Sequence, residues 1–596
     1  MAMATATGKG TQVAGRGVPA VPLSLAVGVT GHRDLASDDT AALYSRLHAV
    51  LASLRAATER LHAAEAVNFA AAPPVVRLLS PLAAGADQVA ARAALDLGFD
   101  LHAVVPFRRA EYRTDFAAEP DNDAAASFDA LIARADRVLE LPCRRGDVPS
   151  AYALAGRATV AHCDVLIAVW DGLPARGAGG TAEVVEDALR RGLPVIHIAV
   201  DAARPTLLVW SAHEPHLQTR IDQTASRPLD GFGVDLLVTQ LLGPPRDPDE
   251  RAHLAMFVGE RERRITPRIE FPLLLALTGV RSLRLTALVA RPYLGDTADP
   301  GSPTLATWRA AYAWSDGLAA YFAQSYRSGH VFNFVAGAVA VLLGLSGLLL
   351  PSVKLWLAFL ELAVIGAFVI NTRIGIARNW HRRWLDYRQL AERLRPMARL
   401  AEIGIAQPER RSVTRRALSW VDWYAAGIWR SIGIPSGELS GDVAALTAAI
   451  VVGELGPQVD YHRRAAAVVH RLDHHLHRAG TVLFAVSCLS CIAFIIAFFV
   501  NHAWTVANAP AFVALSAGLP AVGTAFFGIR VQGDFAGTAA RSEVTADHLL
   551  AIATALETAP PTLARTADGG EAAARAMIAD LGEWRLSHQQ RQLELG

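Results

Sequence analysis

Three short stretches of the chain combine small residues with charge in the way that anion binding requires. The first is Gly28-Val29-Thr30-Gly31-His32-Arg33, and the second is Ser80-Pro81-Leu82-Ala83-Ala84-Gly85-Ala86-Asp87. The third begins at Trp170-Asp171-Gly172 and continues through Gly177-Ala178-Gly179-Gly180-Thr181-Ala182-Glu183. Glycine and alanine let backbone N–H groups approach an anion closely, and Arg33 adds a cation. The second and third stretches each lead into a helical pattern, whose first N–H groups attract negative charge. Tight turns also use such glycines, so each stretch alone says little; three on one edge of one sheet point to a phosphate-bearing ligand.

The elements that must position these loops are legible as an alternation of strand and helix. Short apolar runs at Leu23–Val29, Val75–Leu79, Leu101–Val105, Arg137–Leu141, Asp164–Val169 and Val195–Ile198 read as strands. Stretches such as Ala41–Leu61 and Ala86–Leu97 carry apolar residues at helical spacing. The pattern predicts an α/β doubly wound parallel sheet over 20–202, buried on both faces, with ligands at the carboxyl ends of its strands. No G-x-x-x-x-G-K-[ST] occurs and no G-x-G-x-x-G follows the first strand, which disfavours P-loop and ordinary dinucleotide chemistry. There is no H-E-x-x-H, nucleophile elbow or paired catalytic carboxylate motif, and no metal site is expected.

The second half has another character. Val331 to Leu350 is twenty residues without a charge, and Leu355 to Thr372 is eighteen with only Glu361. A helix crosses a bilayer in about 20 apolar residues. Pro351-Ser352-Val353-Lys354 leaves room only for a tight hairpin between the two runs. Thr481–Val500 and Ala511–Ile529 repeat the pattern, with a short polar link between them. An α-helical membrane domain with four transmembrane helices is predicted, with spans at 331–350, 355–372, 481–500 and 511–529. Arginines flank the helix ends away from the two links (Arg327, Arg373, Arg378, Arg382, Arg463, Arg530 and others), whereas the links carry only Lys354. By the positive-inside rule the N- and C-termini are cytoplasmic.

Composition agrees with a soluble half joined to a membrane half: 52% of 596 residues are hydrophobic, and the mean hydropathy is +0.26. A net charge of +1 gives no broad basic field, so no nucleic-acid partner is expected. Four cysteines imply no disulfide framework. The expected division is a disordered lead-in at 1–19, the α/β domain at 20–202, a helical connector at 203–309, a first two-span unit at 310–405, a cytosolic linker at 406–459 and a second two-span unit at 460–596. Within the connector, Phe271–Val280 is too short to span, and Ser302 with Pro303 reads as the start of a helix that runs to Tyr326.

Glu361 is the one acidic residue inside a predicted span, where an ionisable group faces a pore or partner, or snorkels to the interface. Asn333 and Asn371 read as interfacial hydrogen-bonding groups at span ends. Cys488 and Cys491 read as packing residues. His470, His474, His475 and His477 read as a solvated, membrane-proximal face, although His470 and His474 share the spacing of a metal or pH site.

The order GVTGHRD, SPLAAGAD and VAVWDG…GGTAEVV resembles the SLOG branch of Rossmann-like folds over about residues 20–200. That group includes LOG-type nucleotide phosphoribohydrolases, the DNA-processing protein DprA and the N-terminal region of melastatin-type TRP channels. The resemblance implies a nucleotide-derived ligand held by Gly28, Thr30, Gly31, His32, Arg33, Ser80, Gly85, Ala86, Asp87, Asp171, Gly179, Gly180, Thr181 and Glu183. In LOG enzymes a Gly-Gly-x-Gly-Thr-x-x-Glu motif binds phosphate and supplies a catalytic glutamate. Here Ala178 replaces the second glycine, and the spacing from Thr181 to Glu183 is one residue shorter, which fits ligand sensing better than hydrolysis. If the chain is an enzyme, Glu183 with Arg33 or Asp171 is the expected catalytic set. The paired hairpins with flanking helices resemble SLATT membrane effectors in tandem. Together the resemblances imply a ligand-gated, homo-oligomeric effector of a bacterial inner membrane. The alternatives are a membrane-anchored N-glycosidic hydrolase or ribosyl transferase, and a structural or trafficking protein whose sheet is a binding module.

Overall fold

The computed structural model describes residues 17–33, 37–116, 123–173, 179–201, 203–210, 224–263, 266, 268–283, 305–409, 419–439 and 441–589. Most of the expected lead-in, Gly177 and Ala178 of the third loop, and the Ser302-Pro303 helix start lie outside these residues. The chain divides into two compact units. One comprises Met1–Glu262, Leu294–Trp314 and Gly404–Gly441, and the other comprises Arg263–Tyr293, Ser315–Ile403 and Asp442–Gly596.

The first unit is built on a nine-stranded sheet of order β8-β7-β6-β5-β1-β2-β3-β4-β9. Its strands are β1 (Ser24–Gly31), β2 (Val75–Ser80), β3 (Asp100–Val105), β4 (Arg137–Glu140), β5 (Val165–Trp170), β6 (Val195–Ala199), β7 (Leu207–Val209), β8 (Ser226–Pro228) and β9 (Gly437–Glu438). All neighbouring pairs are parallel except β6–β7 and β7–β8. The helices that follow the main strands are α1 (Ser37–Ala64), α2 (Ala86–Asp96), α3 (Arg109–Tyr112), α4 (Asp123–Arg134), α5 (Val148–His162) and α6 (Thr181–Arg190). Every residue of β5 is buried. Because successive side chains point to opposite faces, both faces of the sheet are covered there. Strand order runs outward in opposite directions from β1 and β5, so a crevice opens between the carboxyl ends of these two strands.

The expected boundaries are redrawn in two places. The described residues of 203–262 form not a helical connector but an antiparallel extension of the sheet, β7 and β8, followed by helices Gly231–Leu242 and Pro248–Val258. The expected linker at 406–459 divides, and Gly404–Gly441 completes the first unit. Its helix Trp420–Ile432 starts on the Ser419 cap and buries Trp420, Trp423, Tyr424 and Ile428. The Trp423 indole donates to the Leu242 carbonyl at 2.8 Å, and the Tyr424 hydroxyl donates to the Pro19 carbonyl at 2.8 Å. Gly427 is required here, since a Cβ would lie 2.3 Å from a methyl of Val21. The segment then adds β9 to the edge of β4.

The second unit is helical. Among the described residues, four helical stretches, Ala306–Leu349 (in this unit from Ser315 on), Pro351–Ala377, Val443–Val500 and His502–Thr558, are long and apolar enough to cross a membrane. They contain all four predicted spans except Leu350, the last residue of the first. The expected polar link after Val500 is a single break at Asn501, whose side chain accepts the Trp504 N–H and starts the next helix at once. Both hairpins end alike: after each pair a non-glycine residue adopts positive φ, Asn379 at 49° and Asp534 at 47°, and a new helix follows. Within this unit Phe334 of the first hairpin fills the space that a side chain at Gly528 of the second would occupy.

Candidate functional site

The crevice between β1 and β5 contains a cavity of about 280 Å³. The first loop enters it tightly. A Cβ on Gly31 would lie 2.5 Å from the Ala86 methyl and 3.0 Å from Val169, so glycine lets the end of β1 touch both α2 and β5. Gly85 has φ of +80°, and a Cβ there would lie 2.2 Å from the Arg33 carbonyl oxygen. The Ala86 N–H donates to the His32 carbonyl at 3.1 Å. The first two loops are thereby locked together at the amino end of α2.

The cavity wall carries charge of both signs. Arg33 lies over the Tyr152 ring, 4.3 Å from its centroid. Burial works against its cation, but Tyr152, Tyr112 and Asp115 outweigh that and raise its pKa. The Tyr152 hydroxyl donates in turn to Asp115, which Arg145 also binds. His32 Nε2 accepts the Asp171 N–H at 3.2 Å and lies 3.5 Å from Asp171 Oδ1. Asp87 is 3% exposed, and burial pushes its carboxyl up to about 7 against the opposing pull of the Ala83 N–H and Arg33.

On the β5 side, Gly179 at φ +80° packs against α5, where a Cβ would lie 2.8 Å from the Pro149 carbonyl oxygen. Gly180 caps α6, and Gly180, Thr181 and Ala182 line the cavity. The first N–H groups of a helix lack intrahelical acceptors, so this end favours an anion.

The structure brings Thr30, Gly31, His32, Arg33, Asp87, Asp171, Gly179, Gly180 and Thr181 to one cavity wall. The remaining expected residues lie behind it. Gly28 packs under α5, with Cys163 Sγ 2.7 Å from where its Cβ would be. Ser80 Oγ accepts the Leu82 N–H at 2.9 Å and shapes the second loop, while Gly85 and Ala86 form the junction with the first. Glu183 accepts the Gly179 N–H at 2.5 Å. Its carboxylate thus holds the loop at the start of α6, and it is not among the residues lining the cavity. Inspection of loops alone missed Tyr152, Gly156 and Thr159, which α5 contributes. Their i, i+4, i+7 spacing was a usable signal of one helix face.

In the second unit the span-end asparagines meet. The Asn371 amide donates to Asn333 Oδ1 at 2.7 Å and to the Gly329 carbonyl at 2.9 Å, and Asn333 donates to Thr372 at 2.9 Å. The Arg268 guanidinium donates to Asn371 Oδ1 and pairs with Glu270 at 2.6 Å. Glu361 is half-buried against Gly344, where a Cβ would lie 3.4 Å from its carboxylate oxygens. His475 bonds the Thr278 carbonyl at 2.7 Å and His477 contacts Arg530, which also binds Asp473 through two nitrogens. Cys488 and Cys491 are exposed. Among the described residues, no cluster of three or more His, Cys, Asp or Glu could hold a metal. Compared with known proteins, the chain matches no family model and no curated sequence.

Proposed function

We propose that the chain is a ligand-gated membrane effector, in which a doubly wound, Rossmann-like domain of SLOG type binds a nucleotide-derived molecule and controls tandem SLATT-like hairpins. The observation that carries this reading is the cavity at the β1/β5 crevice. It pairs Arg33 with the glycine-rich start of α6, on a chain that also has four membrane-length helices. An anion seated at a helix start beside a guanidinium gains from both the oriented N–H groups and the charge. The arginine distribution supports a topology with both termini in the cytoplasm, as for a protein of a bacterial inner membrane, and with it a cytosolic ligand. Four helices seldom enclose a pore, so a homo-oligomer is the working assembly. Gating requires the ligand to prefer one of two states of the protein. Glu361 is the candidate pore residue, and ion selectivity unchanged in Glu361→Ala would remove it from that role.

A second reading has one observation in its favour. Asp87 titrates near neutrality at the cavity wall, as an acid/base group must, which suits an N-glycosidic hydrolase or ribosyl transferase. One experiment separates the two. The full chain is reconstituted in dye-loaded liposomes and given AMP, ADP, ADP-ribose or NAD, and each nucleotide is then recovered for mass spectrometry. Dye release with intact nucleotide supports the effector. A consumed nucleotide without release supports the enzyme, with the hairpins as its anchor.

A further inference from the structure

The cavity holds a group that anion binding does not use. Asp87 lies in the first turn of α2 and lines the cavity. Its Oδ2 accepts the Ala83 N–H in a long bond of 3.4 Å. Its Oδ1 is buried and has no hydrogen-bond partner among the described residues. Buried carboxylate oxygens are almost always satisfied, because stripping water from them is costly.

The neighbours do not supply the missing donor. Arg33 is stacked on Tyr152, and the Gln88 amide points its hydrogens at the Leu82 and Ala124 carbonyls. The Tyr112 hydroxyl is close enough to act electrostatically with Asp87, yet it too is buried without a hydrogen-bond partner among the described residues. An orphan acceptor on a cavity wall is complementary to a ligand that donates. With Arg33 beside it, a cationic donor would be repelled, so a neutral hydroxyl is the better match. In open α/β sheets, carboxylates commonly recognise nucleotides through a sugar hydroxyl. A volume of about 280 Å³ suits one small ligand, at the low end of ordinary pockets.

Resting on the anion-binding reading above, we propose that Asp87 determines specificity in this cavity. On binding, its carboxyl turns to bring Oδ1, buried in the free protein, to the cavity, where it accepts a hydrogen bond from a ligand ribose hydroxyl, so the site selects ribonucleotide-like phosphate esters over deoxy analogues and inorganic phosphate. Only the ionised carboxylate keeps both oxygens as acceptors, Oδ2 for the Ala83 N–H and Oδ1 for the ligand. The groups facing it are Arg33, from the loop after β1, and Tyr112 of α3. A hydroxyl donor favours the charged form, so the preference strengthens as pH rises through about 7.

The test is calorimetric titration of the full chain in detergent with AMP, 2′,3′-dideoxy-AMP and inorganic phosphate at pH 6, 7 and 8. The wild type should bind AMP about tenfold or more tightly than the dideoxy analogue at pH 8, the scale of a hydrogen bond to a charged group, and less selectively at pH 6. Asp87→Ala should bind both equally, since the hydroxyl contact that tells them apart is lost. Asp87→Asn keeps the shape of the side chain and should retain a weaker preference with a flat pH profile. Equal binding of the two nucleotides by the wild type, or an undiminished preference in Asp87→Ala, overturns the proposal and leaves anion binding standing. Failure of the wild type to bind any of the three probes overturns both readings.

Discussion

The two ends of the first unit's sheet have the same strands and opposite designs. At the amino ends, ion pairs and hydrogen bonds close most of the space, and only small groups such as Ser24 Oγ and His102 Nδ1 stay buried without a hydrogen-bond partner among the described residues. Arg430 pairs with Asp164 at 2.6 Å, and Asp164 also accepts the Ala26 N–H at 3.0 Å. Arg137 donates to the Ile432 and Ile434 carbonyls, Arg77 to that of Arg430, and His162 bonds the carbonyl of Gly404. The gap left there is about 10 Å³, room for a single water. At the carboxyl ends lie a cavity of about 280 Å³, a loosely held acid and a helix start. One end is finished by the returning segment Gly404–Gly441, and the other is left open. The contrast teaches where to look for binding: not where charges are densest, but where an unpartnered charge stands beside open space.

The largest effect that tests this contrast is expected at the closed end. Arg430→Ala strands Asp164, whose side chain is only 10% exposed. Removing one partner of a buried pair costs about 3–5 kcal/mol. Chemical denaturation followed by Trp fluorescence should show that loss, while nucleotide affinity of the folded fraction stays within about twofold because no cavity group is touched. A matching loss of affinity would mean that the two ends are coupled.

At the open end the sign should reverse. The Asp87 carboxyl rises from 3.8 to about 7 on folding, so the folded state prefers it protonated. Its contribution is intact below pH 3.8 and is lost as pH climbs through about 7. At about 1.4 kcal/mol per pKa unit, Asp87→Asn should therefore stabilise the unit by up to about 4 kcal/mol at pH 8 and by little at pH 4. Melting curves of the two proteins across that range check it, and parallel curves would refute it. A substitution that stabilises while weakening ligand selectivity is the signature of a functional group.

Much of the open end was legible in the sequence because it is made of local signals. Gly31, Gly85 and Gly179 are needed for close approach or positive φ, and such needs restrict residue type at the position itself. The six main strands were legible for a similar reason, being continuous apolar runs. The closed end was not. Gly427 facing Val21, or β9 joining β4, depends on partners about 300 or more residues away in the chain, and a two-residue strand has no periodicity to read. The antiparallel strands β7 and β8, three residues each, were missed for that reason too. Glu183 shows the limit from the other side: its position in a motif was clear, but not that its carboxylate turns back to a backbone N–H.

Arg33→Ala sharpens the comparison next. The stack on Tyr152 is worth about 0.5–1 kcal/mol, so stability should scarcely change. Loss of a charge-assisted contact to phosphate should weaken AMP and its dideoxy analogue alike, by about 10- to 100-fold. Unequal losses would place Arg33 against the sugar instead.

The smallest structural effect belongs to Glu183→Gln. The amide oxygen can still accept the Gly179 N–H, so the loop should keep its shape at a cost of about 0.5–1.5 kcal/mol. Nucleotide affinity should move by less than about threefold, because the side chain braces the start of α6 from behind the cavity wall. The enzyme reading expects otherwise. A glutamate acting as acid or base contributes about 10²–10⁴-fold to rate, so its amide would bind nucleotide normally and fail to consume it. Measuring affinity and consumption on this one variant separates a brace from a catalyst, since only the catalyst dissociates the two.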